Sequence, residues 1–363
     1  MSVWDTYPSD YRAREVQSVV KAVQAGECVS VIGLSGAGKS NFMGFLAHRS
    51  PLSPFSLLVD CNRLSELSAA SFFQLVRRAL GEAGAANGDE LSALEAAVTR
   101  KLAENAVSPA IAAPRLCLLF DRFDTFETSE FQHAAGLIAT NLRALRDDHK
   151  YELTYVTATR RPLTLGRAAQ SELVELFYAH TLWLGPLSLS DAEWSAGHYA
   201  ARQGLNWTAG EIESLYRLSG GYPSLLRACS EAYAAGCSLS LDALRKHEAV
   251  QRRLDEFWAD QPSPEALQHS GLAGNPLLLN PAAPQLTAKE HLLLEYFRAH
   301  PQEVCEKDDL IRAVWPEDKI FERGVRDDSL AQLIRRLREK IETDASSPRR
   351  IHTVPGRGYR YTP

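Results

Sequence analysis

The chain has 363 residues, of which 45% are apolar and 23% charged, a balance that fits a soluble globular protein of two or three domains. No stretch reads as a membrane span, and residues 1–8 carry neither a basic segment nor an apolar one, which excludes an integral membrane protein and argues against secretion. With 40 Lys and Arg against 45 Asp and Glu the formal net charge is −5, so any nucleic-acid-binding surface must be local.

Residues 11–25 place Val16, Val19, Val20 and Val23 at helical spacing and stop at Gly26, which predicts a helix leading into a strand. The rest of the chain is organised around the next stretch, residues 28–40. There a β-branched run feeds the turn Gly33-Leu34-Ser35-Gly36-Ala37-Gly38-Lys39-Ser40, and Phe42, Met43, Phe45 and Leu46 make an apolar helix after it. The spacing GxxxxGK[ST] is that of a P-loop. Gly33, Gly36 and Gly38 let the backbone bend with no side chain in the way. Successive amides through Ser35, Ala37, Lys39, Ser40 and Asn41 then face an anion, and the helix adds its positive end. Lys39 is placed for the β and γ phosphates of ATP or ADP, and Ser40 for Mg²⁺. A Gly-rich loop that holds no nucleotide would not require the strand before it and the helix after it.

Residues 55–61 read as a second strand, and residues 69–83 and 91–106 as helices separated by an exposed Gly- and Ala-rich loop over residues 84–89. Arg115-Leu116-Cys117-Leu118-Leu119-Phe120-Asp121 is a near-continuous apolar run ending in an acid, the pattern of a buried parallel strand with a carboxylate at its carboxyl end. Asp121 is either the Mg²⁺ partner of Ser40 or a helix cap, and the P-loop demands the first. Residues 151–159 and 180–184 supply two more strands, which gives an α/β fold, a parallel αβα sandwich. Ligands bind at the carboxyl ends of such strands, so Arg160 is either a γ-phosphate contact or a surface cation.

Residues 187–257 are helical in pattern, with Trp194, Tyr199, Leu205, Ile212, Leu215 and Tyr216 as candidate core. Ser219-Gly220-Gly221-Tyr222-Pro223-Ser224 interrupts them, with Pro223 at the first position of the next helix. Residues 260–285 hold Pro262, Pro264, Pro276, Pro281 and Pro284 among few charges and read as a linker, with a short strand over residues 277–279. The last segment predicts helices over residues 289–299, 307–315 and 329–341, then a hairpin over residues 351–361 turning at Pro355-Gly356-Arg357-Gly358. The third helix has an apolar stripe at Leu330, Ile334, Leu337 and Ile341, which leaves Gln332, Arg335, Arg336 and Arg338 on or near its outer face. From Ser329 onward eight cations stand against three anions, a local basic face suited to DNA, with the helix in the major groove and the hairpin on flanking backbone. The alternative is a solvated charged helix. The six cysteines are scattered, with no CxxC pair, and read as reduced buried thiols in a cytoplasm.

On these motifs residues 1–257 resemble the signal-transduction ATPases with numerous domains (STAND), AAA+-related P-loop NTPases. The phosphate turn matches Walker A, Leu118-Leu119-Phe120-Asp121 matches Walker B, Thr157-Ala158-Thr159-Arg160 is similar to the sensor strand, and Gly221-Tyr222-Pro223 matches the lid GxP motif. The resemblance implies that Pro223 packs on adenine and that the lid angle reports the nucleotide. It implies domains at 1–185 (nucleotide-binding), 186–259 (helical lid), 260–285 (linker) and 286–363 (winged helix). That family usually carries a second acid after the Walker B aspartate to polarise water; this chain has Arg122 there, with Asp124 the nearest acid, so slow ATP turnover is expected. The final segment resembles the winged-helix output domain of response regulators through Leu286-Thr287-Ala288-Lys289-Glu290, Ala313-Val314-Trp315, Ile334-Arg335-Arg336-Leu337-Arg338 and the stretch from Thr353 to Tyr361. It implies phosphate contacts from Ser329 and Thr353, and DNA-facing Gln332, Arg335, Arg336 and Arg338. Arg357 would substitute for the usual wing arginine, whose position Pro355 takes.

The leading expectation is an ATP-gated regulator that binds double-stranded DNA and associates into homo-oligomers on ATP binding. An AAA+ loader of the origin-recognition type and a signalling or defence scaffold are the alternatives. The first would need a lid arginine and an active Walker B acid, where this chain has GxP and Arg122; the second would make no use of the basic face.

Overall fold

Val29–Ile32 (β1) is buried along its whole length, as a strand must be when neighbours flank it and helices cover both faces. It pairs in parallel with Leu153–Thr159 (β4) on one side and Thr181–Trp183 (β5) on the other. Leu116–Asp121 (β3) lies beyond β4 and Ser56–Asp60 (β2) beyond that, in the order β2-β3-β4-β1-β5. The two-residue period of a strand divides the continuous apolar runs between two cores. In β3, Leu116, Leu118 and Phe120 join one cluster while Cys117 and Leu119 join the other. The first cluster takes in Phe72, Val76, Leu94 and Val98 from Ala69–Ala79 (α3) and Glu90–Ala106 (α4). The second takes in Val19, Val23, Phe42 and Phe45 from Ala13–Gln24 (α1) and Lys39–His48 (α2). This is the parallel αβα sandwich expected of a P-loop. A helix not singled out in the sequence, Gln132–His149 (α5), buries Ala135, Ile138, Ala139, Leu142 and Leu145 at helical spacing against the first cluster.

The structure, a computed structural model, describes residues 3–64, 66–82, 89–106, 115–124, 132–163, 176, 180–278, 287–315, 327–342 and 348–362. They fall into two compact units, Met1–Leu278 and Leu279–Pro363. Most of the loop expected over residues 84–89 lies outside the described residues, as does the end of the expected linker, residues 279–285.

In the first unit the sheet is followed by Leu189–Arg202 (α6), Ala209–Ser219 (α7), Pro223–Ala234 (α8), Leu241–Lys246 (α9) and Glu248–Ala259 (α10). Thr208 and Glu211 form a capping box on α7, Gly220 closes that helix at φ 62°, and Pro223 opens α8 as its first residue. Tyr199 and Leu215 are fully buried, while Trp194, Ile212 and Tyr216 pack half-buried against the cluster that holds α2. The start of the expected linker folds instead. Pro264–His269 (α11) begins at a proline and is capped by Ser263, because proline at the first helical turn starts a helix rather than breaking one. Leu272, Leu277 and Leu278 are buried in the same cluster, the last two in a turn and not in the short strand expected. Among the cysteines, Cys237 is half-buried and the other five are buried.

The second unit comprises Ala288–Ala299 (α12), Val304–Glu306 (β6), Lys307–Val314 (α13), Asp327–Ile341 (α14) and the hairpin of Ile351–Val354 (β7) and Gly358–Tyr361 (β8). The antiparallel order is β6-β8-β7; β6 was not foreseen, being only three residues long. Helix α14 buries Leu330, Leu333, Ile334 and Leu337 against α12 and α13, with Ile341 half-buried at its end. Glu290, wholly buried, closes a capping box with Thr287 and pairs with Lys340 at 2.6 Å, which ties α12 to α14.

At Gly358 an added Cβ would lie 2.0 Å from the Cys305 carbonyl oxygen, where β8 pairs with β6. Gly358→Ala is therefore expected to destabilise the second unit by about 2 kcal/mol or more through a backbone clash. Thermal unfolding of the full chain followed by circular dichroism checks this, and an unchanged transition would contradict it.

Candidate functional site

The phosphate turn has a carbonyl edge that faces protein. Gly36 and Gly38 take φ of 85° and 83°, a region open to glycine, and this rotates successive peptides. Lys39 Nζ donates to the carbonyls of Gly33 and Leu34, the Tyr222 hydroxyl donates to Ser35 O at 2.8 Å, Ser224 N to Gly36 O at 3.1 Å, and Arg12 Nη2 to Ala37 O at 3.1 Å. Every carbonyl from Gly33 to Ala37 is thus satisfied from within the chain. A Cβ at Gly36 would sit 2.6 Å from the Ser224 Cβ, so only glycine lets the lid approach this closely. The Pro223 ring lies against Gly38.

Burial works against two charged groups here, one in the turn and one at the end of β3. Burial lowers the Lys39 ammonium to about 8, against the opposing pull of Asp124 and Asp121. Asp121, buried at the end of β3, is raised above the ordinary carboxylate range by burial and to a lesser degree by Asp60. A hydrogen bond with Ser40 and the Arg122 amide at 3.1 Å work the other way. Asp60 ends β2 in register with Asp121. It shares with Asp121 the pattern of an acid closing an apolar run, which is visible in the sequence.

Because β4 lies between β1 and β3, its carboxyl end delivers Arg160 between the phosphate turn and Asp121. Arg160 is neither bare on the surface nor unengaged. Its main-chain N and Nε donate to Asp124 Oδ2 at 3.2 and 2.7 Å, and its Nη1 donates to Asp260 Oδ1 at 3.0 Å. Asp124, the acid two residues beyond Arg122 and a catalytic candidate in the sequence, is thereby committed to Arg160. A cleft of ≈ 470 Å³ brings together Ser35, Lys39, Ser40, Asn41, Arg122, Asp124 and Arg160, with Asn62 as a lining residue that the sequence did not flag. Arg12 was missed as well. Only 2% exposed, it joins the turn to the base of the lid through Gly185 O at 2.9 Å, while its main-chain N–H is held by Asp191.

In the second unit a cleft of ≈ 400 Å³ is lined by Ser329, Gln332 and Arg336 from α14 and by Thr287, Lys289 and Trp315, with the Lys289 ammonium 5.0 Å from the Trp315 ring. Arg335 is 81% exposed and pairs with Glu339 at 3.0 Å, and Arg357 is exposed at the hairpin turn. Arg338 differs from the expectation of an outward side chain. Its Nε and Nη2 donate to Ile351 O at 3.0 and 2.7 Å, and Nη2 donates to Thr353 Oγ1 at 2.9 Å. The stripe that buries Leu337 carries position 338 to the hairpin side, so Arg338 and Thr353 brace helix and hairpin against each other.

Residues 282–361 match the family model described as transcriptional regulatory protein, C terminal. The uncharacterized transcriptional regulatory protein YcbL of Bacillus subtilis (strain 168) is 32% identical over 136 residues, 36% of this chain and 58% of that protein. The alkaline phosphatase synthesis transcriptional regulatory protein SphR of Synechococcus elongatus is 37% identical over 116 residues, 31% and 43% of the two chains. The chain thus spans 58% and 43% of the length of these curated relatives. Among solved structures, the Walker-type ATPase of Pyrococcus abyssi is similar over 96% of this chain and 92% of that one, with 13% identity and a TM-score of 0.43. By its own sheet order and phosphate turn the first unit is a P-loop αβα sandwich, and the second is a winged helix. More narrowly, that winged helix is a C-terminal domain of the transcriptional regulatory kind, with response-regulator-like relatives. Among the described residues no helix is long and apolar enough to cross a membrane.

A lysine that titrates near 8 attracts phosphate fully only below that pH, and bound phosphate raises its pKa. Nucleotide affinity is expected to be flat from pH 6.5 to about 7.5 and to weaken above about 8, by up to about tenfold per pH unit. Calorimetric titrations across that range check this, and undiminished affinity at pH 9 would contradict it.

Proposed function

We propose that this protein is a nucleotide-gated transcription regulator of the STAND type, in which ATP or ADP in the P-loop cleft sets the lid and the winged helix binds double-stranded DNA. The observation that carries the reading is the pair of hydrogen bonds from Tyr222 and Ser224 to the carbonyls of Ser35 and Gly36. A turn that must adjust to phosphate and a lid that bonds the same peptides respond as one body.

The residues fit a Mg²⁺ nucleotide. A lysine lowered by burial and a carboxyl raised by burial both gain from a ligand that brings anion and cation together. Lys39 and the amides from Ser35 to Asn41 would hold the phosphates, Pro223 the adenine, and Ser40 with Asp121 the Mg²⁺. When bound, the metal neutralises charge on the β and γ phosphates. Arg160, half exposed at the cleft, is the γ-phosphate contact. Turnover is slow in this reading, since position 122 is an arginine and Asp124 is held by Arg160. Ser329, Gln332, Arg335 and Arg336 would meet DNA from α14, Arg357 would follow from the wing, and Arg338 with Thr353 would set the wing's angle. Association on ATP binding, a cytoplasmic location and domain limits near residues 185 and 278 complete the proposal.

Mass analysis of purified protein for retained nucleotide tests the first half, with Lys39→Ala expected to lose it. Wild-type hydrolysis is expected well below about 10 per second, and Arg122→Glu to raise it; brisk wild-type turnover would refute the argument. DNA binding is expected to weaken steeply with salt, with a log–log slope of about −0.9 per phosphate neutralised. Arg335→Ala and Arg336→Ala should each weaken binding, and whichever contacts a base should relax sequence preference by about 1–3 kcal/mol. Equal DNA affinity in apo, ADP and ATP states would leave two independent modules and end the gating reading.

A further inference from the structure

Arg160, a lining residue of the phosphate cleft, is held by a carboxylate at the end of α10. Asp260 caps the C-terminal end of α10, the last helix of the lid bundle, yet it is fixed at two points to the end of β4. Its carboxylate accepts from Arg160 Nη1 at 3.0 Å, and its main-chain carbonyl accepts from Arg161 Nη2. Asp260 is also close enough to Lys39 and to Tyr222 to act on the charge of both. Arg160 thus serves two carboxylates, one from its own domain and one from the lid, and the two are not held equally. Asp124 has 9% of its side chain exposed and accepts from both the main-chain N–H and Nε of Arg160, whereas Asp260 is 24% exposed and accepts from one guanidinium nitrogen.

We infer that Asp260 is a specificity-determining residue that makes the arrangement in which α10 is bonded to Arg160 favour a nucleoside diphosphate over a triphosphate, its carboxylate taking on Arg160 the place that a γ-phosphate needs. The inference rests on the proposal that the P-loop cleft binds ATP and ADP. A γ-phosphate on Arg160 adds negative charge beside Asp124 and Asp260, which the same guanidinium already holds, and like charges so placed repel. The group that leaves is the one held by fewer hydrogen bonds and more open to water, which is Asp260. Triphosphate therefore detaches the end of α10 from Arg160, and diphosphate leaves the bridge in place. The sequence that follows is suited to such a release: Gln261 takes a left-handed φ of 46°, and Ser263 and Pro264 start a new helix.

The test uses the full chain, with ADP and the slowly hydrolysed analogue ATPγS as probes. Wild type is expected to bind ADP more tightly than ATPγS. Asp260→Asn is expected to raise ATPγS affinity about tenfold, within the usual range of coupling between two sites, and to leave ADP affinity nearly unchanged. Asp260→Glu, which keeps the charge, should preserve the ADP preference, and Arg160→Ala should weaken ATPγS more than ADP. In wild type, amide hydrogen exchange over residues 258–263 should be faster with ATPγS than with ADP, a readout that needs no variant to fold. An unchanged ATPγS-to-ADP ratio in Asp260→Asn, or equal exchange with both probes in wild type, overturns the inference. If Lys39→Ala still loses both nucleotides in that case, the nucleotide site stands without it; if Lys39→Ala binds both normally, the site reading falls first.

Discussion

The arrangement of the first unit depends on one constraint, that the peptides of the phosphate turn present carbonyls to the protein. Five consecutive carbonyls, Gly33 to Ala37, accept from Lys39, Tyr222, Ser224 and Arg12. A buried peptide oxygen left unpaired costs about 1–3 kcal/mol, so each donor holds its own element in place. Tyr222 and Ser224 bring the lid, Arg12 brings the N-terminal helix and, through Gly185, the chain's entry to the lid. The start of α8 therefore bonds to the turn itself as well as sharing its apolar core.

Electrostatics in the cleft follow from the same burial. A lysine and an aspartate taken from water are both pushed toward their neutral forms. Arg160 shows the opposite case. Half exposed and ringed by Asp124 and Asp260, its positive form is held more firmly than usual, chiefly by the hydrogen bond to Asp124.

The second unit solves a different problem, holding one face of a helix outward while the other is buried. Leu330, Leu333, Ile334 and Leu337 fill the core, the buried Glu290–Lys340 pair ties α14 to α12, and Arg338 braces the hairpin. Cations on the remaining face, Arg335 and Arg336, stay exposed because the intervening positions take the packing. Specific recognition needs such a division: contacts that position a helix and contacts that read bases come from different side chains.

What the sequence determined by itself was local. The P-loop spacing, the buried strand ending in Asp121, Pro223 at the start of a helix and the stripe on α14 each depend on a period or a turn within a dozen residues. Nearest-neighbour geometry alone imposes those patterns. Tertiary structure decided the rest. Arg160 meets Asp260 across 100 residues, Arg12 meets Gly185 across 173, and Tyr222 meets Ser35 across 187. Position 338 looked like one more outward arginine until the hairpin closed beside it, and the proline-rich stretch looked like a linker until its leucines found a core. Such pairings leave no periodic trace in the chain, because they are set by which strand lies beside which, and that order exists only once the sheet has formed.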